Sequence, residues 1–159
     1  MAEQLQLRRG IEQAQDLFTG AEGEVTMATD TKELRVHDGM KVGGFRVPTL
    51  VAVQYPSSAN NYTWYRKYSD GWVEMGGKIS YAGDTLGAGQ TGVVVNGLIF
   101  PVALSTVASV SFGNTMMFWN CHAANLTTTG MDVKVSSQLA VSYTQAAATI
   151  TWEVKGMAA

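Results

Sequence analysis

The chain has 159 residues, of which 46% are apolar and only 15% are charged, well below the ~25% of an average domain. Its net charge is −2, and its basic residues cluster only as Arg8-Arg9 and Arg66-Lys67, which excludes a phosphate-tracking surface and makes nucleic acid an unexpected partner. No apolar run reaches the ~18 residues that span a bilayer, so we expect no membrane insertion. The first residues lack the apolar core of a secretion signal, and the single Cys121 has no intrachain disulfide partner, so we expect synthesis in a cytoplasm.

The N-terminal part contains the only helix candidate, Ile11 to Phe18, which is polar and about two turns long. Residues 24–39 then alternate with period two, and a loop at 30–33 predicts a hairpin in which Thr29 pairs with Leu34. This register sorts the side chains by polarity, so a slip of one residue would destroy the pattern. One predicted face carries Val25, Met27, Leu34 and Val36, and the other carries Thr26, Ala28, Arg35 and His37.

Paired glycines followed by Pro48 in VGGFRVP (42–48) predict a domain boundary. Strands are predicted at 50–55 and 62–68, with a loop at 56–61. Asp70-Gly71 is the strongest short hairpin signal, and with those two residues as the loop Lys67 lies opposite Glu74. One face then carries Trp64, Arg66, Tyr68, Val73 and Met75, and the other carries Tyr65, Lys67, Trp72 and Glu74.

The predicted strands of the C-terminal half follow one another at a spacing typical of a β-sandwich. A flexible loop is predicted at 83–92 and a pair of apolar strands at 93–104. Five strands follow, VASVSF, TMMFWNCHA, MDVKVSS, LAVSY and ATITWEV, and the last places Ile150, Trp152 and Val154 on one side. The whole pattern predicts an all-β fold with at most one short helix.

No catalytic or metal-binding constellation is visible. His37 and His122 are each interpreted as a surface imidazole or a satisfied core imidazole, although a three-fold axis could bring together His37 from three chains. The carboxylates are scattered, and those at Asp30, Asp38, Asp70 and Asp84 are typical of turns. We therefore expect neither an enzyme nor a cofactor.

Aromatic residues beside amides are the remaining candidates for a binding site. A sugar presents an apolar C–H face to a Trp or Tyr ring, and a neighbouring amide can bind its hydroxyls. The candidate receptor-binding residues are accordingly Asn60, Asn61, Tyr62, Trp119 and Asn120. Trp and Tyr on alternating strands, above all Trp64 and Trp152, are also typical of a core or a subunit interface, and both interpretations stay open.

Residues 5–45 carry LRRG, FTGAEGEVT, DTKELRVHDG and GGF in close succession. This stretch resembles the N-terminal domain of the phage major tropism determinant and of tail-fibre proteins that share it. The resemblance implies that residues 1–47 form a small β domain that trimerises and joins the protein to other virion proteins.

TWYRKYSDGWVEMGG (63–77), followed by IFPVALST (99–106) and ATITWEVKGMAA, resembles the C-terminal domain of phage tail fibres, with Met75 where that family often has Gln. The resemblance implies that residues 48–159 form an antiparallel β-sandwich knob. We therefore predict a homotrimeric phage tail fibre, located in the virion, that binds a host surface polysaccharide or protein. The alternative is a purely structural virion component, such as a head fibre, decoration or collar protein.

Overall fold

The computed structural model describes residues 7–116 and 118–159, so residues 1–6 of the predicted N-terminal domain and Met117 of the predicted strand TMMFWNCHA lie outside the described residues. The chain forms two compact units that divide between Thr49 and Leu50. Strands dominate both units, and the all-β prediction is confirmed. The domain roles predicted for residues 1–47 and 48–159 stay predictions.

From residue 7 onward, the N-terminal unit forms a four-stranded sheet in the order β1-β2-β3-β4, with one short helix. β1 runs parallel to β2, and the other neighbours are antiparallel. The helix covers less than the predicted Ile11 to Phe18. The elements are β1 (Arg8–Gly10), α1 (Glu12–Asp16), β2 (Val25–Ala28), β3 (Leu34–Val36) and β4 (Phe45–Val47).

The β2–β3 hairpin keeps the predicted sorting of faces but not the predicted register. Met27 lies opposite Leu34, and Val25 lies opposite Val36, a shift of two residues. A shift of two preserves which residues share a face, because side chains alternate with period two. The face that is buried within the unit is nevertheless the polar one.

Charged side chains explain that burial. The Arg35 guanidinium is buried, lies 2.7 Å from the Asp16 carboxylate and donates a hydrogen bond to the Gly43 carbonyl at 3.0 Å. Arg46 extends the network to Glu12, to Asp16 at 3.2 Å and to Glu33 at 3.2 Å. α1 therefore supplies the carboxylates that compensate the buried Arg35, and Arg46 of β4 shares them.

The network makes the stability of the N-terminal unit sensitive to acid. Hydrogen bonding from Arg35, with the charges of Arg35 and Arg46, holds the pKa of Asp16 below its ordinary value of 3.8. The folded state therefore binds this proton less readily than the unfolded state, so the stabilisation is complete above pH 3.8 and is lost as the pH falls through the lowered pKa.

The expected result for Asp16→Asn is a smaller decrease in the free energy of unfolding between pH 5 and pH 2.5, measured by urea denaturation at each pH. Glu22→Gln is the control, because it removes an exposed carboxylate of the same unit. A pH dependence of Asp16→Asn equal to that of the wild type would contradict the assignment.

His37 is part of the buried face. Its Nδ1 accepts a hydrogen bond from the Gly20 N–H at 3.2 Å, and its Nε2 lies 3.0 Å from Thr26 Oγ1. Because Nδ1 accepts, the proton of the neutral ring is on Nε2, which donates to the Thr26 hydroxyl. Both nitrogens are engaged within one chain, so the structure contradicts the alternative of a His37 site shared by three chains.

The opposite face of this sheet is an apolar face made of two cross-strand rows, Val25–Val36–Phe45 and Met27–Leu34–Val47. Val36, Phe45 and Val47 are exposed, and the other three are partly buried. A contiguous exposed apolar patch on a small domain is a mark of an interaction surface.

The C-terminal unit has a five-stranded antiparallel sheet in the order β10-β14-β7-β6-β5 and a three-stranded antiparallel sheet in the order β11-β12-β9, with a small β13-β8 pair. A short 3-10 turn, Ser58–Asn60, lies in the predicted loop 56–61. The strands are β5 (Leu50–Gln54), β6 (Trp64–Tyr68), β7 (Trp72–Tyr81), β8 (Asp84–Leu86), β9 (Thr91–Ile99), β10 (Leu104–Asn114), β11 (Trp119–Ala124), β12 (Gly130–Ser137), β13 (Tyr143–Gln145) and β14 (Ala148–Ala158).

A single hydrophobic core joins the two larger sheets, as in a β-sandwich. The Trp152 ring stacks on Phe100, with centroids 6.2 Å apart, and Tyr81 meets Trp119 at 6.0 Å. The predicted inward face of the last strand is confirmed. Residues of both sheets contribute to this core, including Val73, Met75, Val133, Val135, Ile150, Trp152 and Val154.

The register predicted for the β6–β7 hairpin is wrong by one residue. Lys67 lies opposite Val73, and Arg66 lies opposite Glu74. The loop has three residues, 69–71, and Gly71 ends it at a φ of +87°, a conformation that suits a three-residue hairpin loop. A register shift of one residue moves every side chain of β6 to the other face relative to β7. Trp64 and Arg66 therefore share a face with Glu74 and not with Val73 and Met75.

The predicted pair of strands at 93–104 is also wrong. Asn96-Gly97 lies inside β9, where the pairing with β12 is irregular and the Gly97 N–H donates to Asp132 Oδ1 at 2.8 Å. The second strand begins only at Leu104, as β10. The predicted loop at 83–92 contains β8 and the start of β9.

Candidate functional site

The chain turns a tight corner at residues 55–62, between β5 and β6. The Asn60 side chain fixes this corner, because its Oδ1 accepts from the Ser57 N–H at 2.8 Å and its Nδ2 donates to the Tyr55 carbonyl at 2.7 Å. Of the predicted binding residues, Asn60 is therefore occupied by its own backbone, whereas Asn61 and Tyr62 are exposed.

Asn61 and Tyr62 both adopt the left-handed conformation, with φ angles of 53° and 56°. Each such residue costs on the order of 1 kcal/mol outside glycine, and strain of this kind concentrates at functional sites. The Tyr62 N–H donates to the Ser57 carbonyl at 2.7 Å, which holds the strained backbone in place. The result is a Tyr62 ring that is fixed at its base and 43% exposed.

Trp64 lies beside this corner, on the outer face of the five-stranded sheet. It pairs with Gly76 of β7, and a Cβ on Gly76 would come within 2.9 Å of the Trp64 Nε1 and 2.5 Å of the Trp152 carbonyl oxygen. Only glycine leaves room for the indole to rest on the strand. Gly76 of the sequence MGG thus leaves a flat stretch of backbone on the solvent side of the sheet, against which the Trp64 ring packs.

These rings border a groove of about 600 Å³, which we call the Tyr62 groove. Its floor is the outer face of β7, β14 and β10, where Thr151 lies opposite both Lys78 and Gly113. Small and hydroxyl-bearing side chains keep this floor shallow. The groove is lined by Pro56, Tyr62, Trp64, Gly77, Lys78, Ser111, Phe112, Gly113, Thr151, Trp152 and Glu153.

The two charged side chains that line the groove, Lys78 and Glu153, differ in their partners. Lys78 is exposed, and its Nζ lies 4.5 Å from the centroid of the Tyr62 ring. Glu153 is paired with Lys155 at 3.0 Å, and Lys155 also lies 3.6 Å from Glu74. Among the ion pairs of residues 7–116 and 118–159, none involves Lys78.

The predicted pair Trp119-Asn120 is not part of this groove. Trp119 is only 2% exposed and packs in the core, so its ring offers no face to a receptor, and the structure corrects that prediction. Asn120 is exposed but lies on β11, in the other sheet. The neighbouring Cys121 is partly buried, and desolvation raises the pKa of its thiol to about 11.

The predicted role in turns is confirmed for Asp30, Asp38 and Asp70, whereas Asp84 begins strand β8. Asp38 Oδ1 accepts from the N–H groups of Met40 and Lys41, at 3.0 and 2.8 Å. Asp70 Oδ1 accepts from Trp72 at 2.9 Å. Across residues 7–116 and 118–159, no three His, Cys, Asp or Glu side chains are grouped so that they could hold a metal ion.

No helix in the described part of the chain is long and apolar enough to cross a membrane.

Two comparisons with known proteins gave a match. Residues 5–41 match the family model described as the major tropism determinant N-terminal domain. The solved structure of the C-terminal residues 323–701 of the P. aeruginosa R1 pyocin fiber is similar with a TM-score of 0.45 and 13% identity, over 72% of this chain and 29% of that chain. At that TM-score the likeness carries no argument about function.

No curated protein sequence matches the chain. The family model covers the helix α1 and the β2–β3 hairpin with its buried Arg35 and His37, which are features of the N-terminal unit alone. Residues 5–41 are therefore similar to a major tropism determinant N-terminal domain.

Proposed function

We propose that this protein is a bacteriophage tail fibre, a receptor-binding protein that attaches the virion to the bacterial surface. The observation that carries the proposal is the match of residues 5–41 to the major tropism determinant N-terminal domain. The resemblance of residues 63–77 to the C-terminal domain of tail fibres supports the same function for the rest of the chain.

The apolar face of the N-terminal unit supports a homotrimer. Its two rows contain no charged residue, and Val36 at its centre is 40% exposed. Self-association about a three-fold axis would remove this surface from water, which favours assembly at roughly 25 cal/mol for each Å² of apolar area buried. In the proposed assembly the N-terminal units also join other virion proteins.

The C-terminal sandwich is the proposed receptor-binding part, and its ligand is a polysaccharide or a protein of the host surface. Three copies of one shallow site bind more tightly than one, because the second and third contacts form at a high effective concentration. The protein acts by binding and not by catalysis, with no cofactor. It is made in the host cytoplasm and works in the virion.

The test is adsorption of the labelled 159-residue chain to a panel of bacterial strains with different surface polysaccharides, beside binding to purified phage particles. We expect saturable adsorption to some strains and a solution mass three times the 17.1 kDa of the chain. Tight binding to particles without adsorption to any strain would instead favour a head fibre, decoration or collar protein. Release of reducing sugar from a capsule would contradict the assignment as a non-enzyme.

A further inference from the structure

The shape of the Tyr62 groove suits a chain of sugar rings. Its volume of about 600 Å³ lies within the range of small-ligand sites, and it is open along the sheet surface. Tyr62 and Trp64 provide flat apolar surfaces at one side, and Ser111 and Thr151 provide hydroxyls on the floor. A pyranose has the matching pair of surfaces, an apolar C–H face and a rim of hydroxyl groups.

The site is built before any ligand arrives. The side-chain hydrogen bonds of Asn60 fix the corner that carries Tyr62, and the absence of a side chain at Gly76 lets the Trp64 ring pack on β7. Rings that are already held in position lose little conformational entropy when a ligand binds. The strained backbone of Asn61 and Tyr62 is then explained as the means by which the ring is placed at the edge of the groove.

The charge of Lys78 can select the kind of sugar. The Lys78 Nζ lies over the Tyr62 ring, and no ion pair among the described residues involves it, while Glu153 shares Lys155 with Glu74. An ammonium group beside an aromatic platform can form a charge-assisted hydrogen bond to a carboxylate on the sugar ring. A groove whose described lining contains one lysine does not suit a polyphosphate, which would need a row of cations.

We propose that the Tyr62 groove binds an acidic polysaccharide, one whose pyranose rings carry a carboxylate. The Tyr62 and Trp64 rings stack on the sugar, Ser111 and Thr151 bind its hydroxyls, and Lys78 binds the carboxylate. This inference deepens the proposed function, because it names the ligand class of a receptor-binding site.

The test uses the 159-residue chain and isothermal titration with three uronate-containing oligosaccharide probes, from alginate, hyaluronan and polygalacturonate, here called polyuronates, with dextran as the neutral probe. We expect at least one polyuronate to bind, more weakly at higher salt, and dextran to bind at least tenfold more weakly. Lys78→Gln should weaken polyuronate binding by about tenfold and leave the dextran interaction unchanged. Tyr62→Ala should weaken both.

Two control variants match these substitutions. Phe118→Ala removes an aromatic ring with the same exposed fraction, 43%, from another part of the unit, and Lys134→Gln neutralises a lysine of the other sheet. Both should bind as the wild type does. Circular dichroism and melting temperatures of all four variants separate a loss of binding from a loss of folding.

The outcomes distinguish this inference from the proposed function. If none of the three polyuronates binds, or if Lys78→Gln binds them as the wild type does, the acidic-sugar site is overturned, and adsorption to cells still tests the tail-fibre assignment. If polyuronates bind and no bacterial strain is recognised, the groove stands and the tail-fibre assignment fails.

Discussion

Replacement of Trp152 by Ala is expected to lower the free energy of unfolding by about 3–5 kcal/mol, a large part of the 5–15 kcal/mol of a typical domain. Trp152 is 3% exposed, stacks on Phe100 and lies against Gly77, where a Cβ would come within 2.9 Å of the indole Nε1. Such close surroundings cannot collapse onto the space that the ring leaves, so a cavity adds to the lost burial.

Urea denaturation at one fixed protein concentration measures this effect. Tyr55→Ala is the control, because it removes an aromatic side chain that is exposed, and it should change the free energy of unfolding by no more than about 0.5 kcal/mol. A decrease below 1 kcal/mol for Trp152→Ala would mean that the two sheets do not share the core described above.

The second large effect is expected from a charge on the apolar face. Val36→Lys places three ammonium groups against one another in the proposed trimer, and burying an unpaired charge costs about 3 kcal/mol or more. This corresponds to a loss of about a hundredfold or more in the association constant. We therefore expect the solution mass at micromolar concentration to fall from that of a trimer to that of a single chain.

Val42→Lys is the matched control for this substitution. Val42 is more exposed than Val36, 59% against 40%, and it precedes β4 instead of lying in one of the two rows of the apolar face. It should leave the trimer intact. A Val36→Lys protein that remained trimeric would show that the subunits associate through another surface.

The alternating pattern of the sequence predicts which residues share a face of a strand, but it does not predict which face is buried. The faces of the β2–β3 hairpin were predicted correctly because a register shift of two preserves them. Which face is buried depends on α1, whose Asp16 pairs with Arg35, and on Arg46 of β4, which pairs with the same carboxylate. Arg35 and His37 have the composition of a solvated face, so pairing that is distant in sequence decides their burial.

Turn geometry limited the prediction at two places. A dipeptide of Asp70-Gly71 is compatible with a loop of two or of three residues, and the third residue reversed the faces of β6 relative to β7. Asn96-Gly97 has the composition of a hairpin turn but forms an irregularity inside β9. In both cases the partner strand, and not the dipeptide, determines the geometry.

The candidate site was predicted only in part for the same reason. Tyr62 was identified from its aromatic ring and its amide neighbours, and it does border the groove. Lys78, Ser111 and Thr151 are distant in sequence and become neighbours through the order β10-β14-β7. Trp119 had the same local signal as Tyr62 but faces the core, and only the packing of the two sheets distinguishes them.

The raised pKa of Cys121 has a chemical consequence. With a pKa of about 11, only about one thiol in ten thousand is ionised at pH 7, and alkylating reagents attack the thiolate. A maleimide dye would therefore leave this residue largely unmodified at neutral pH. A single new cysteine on an exposed loop would take the dye selectively in the otherwise native sequence, which provides the labelled chain for the adsorption test.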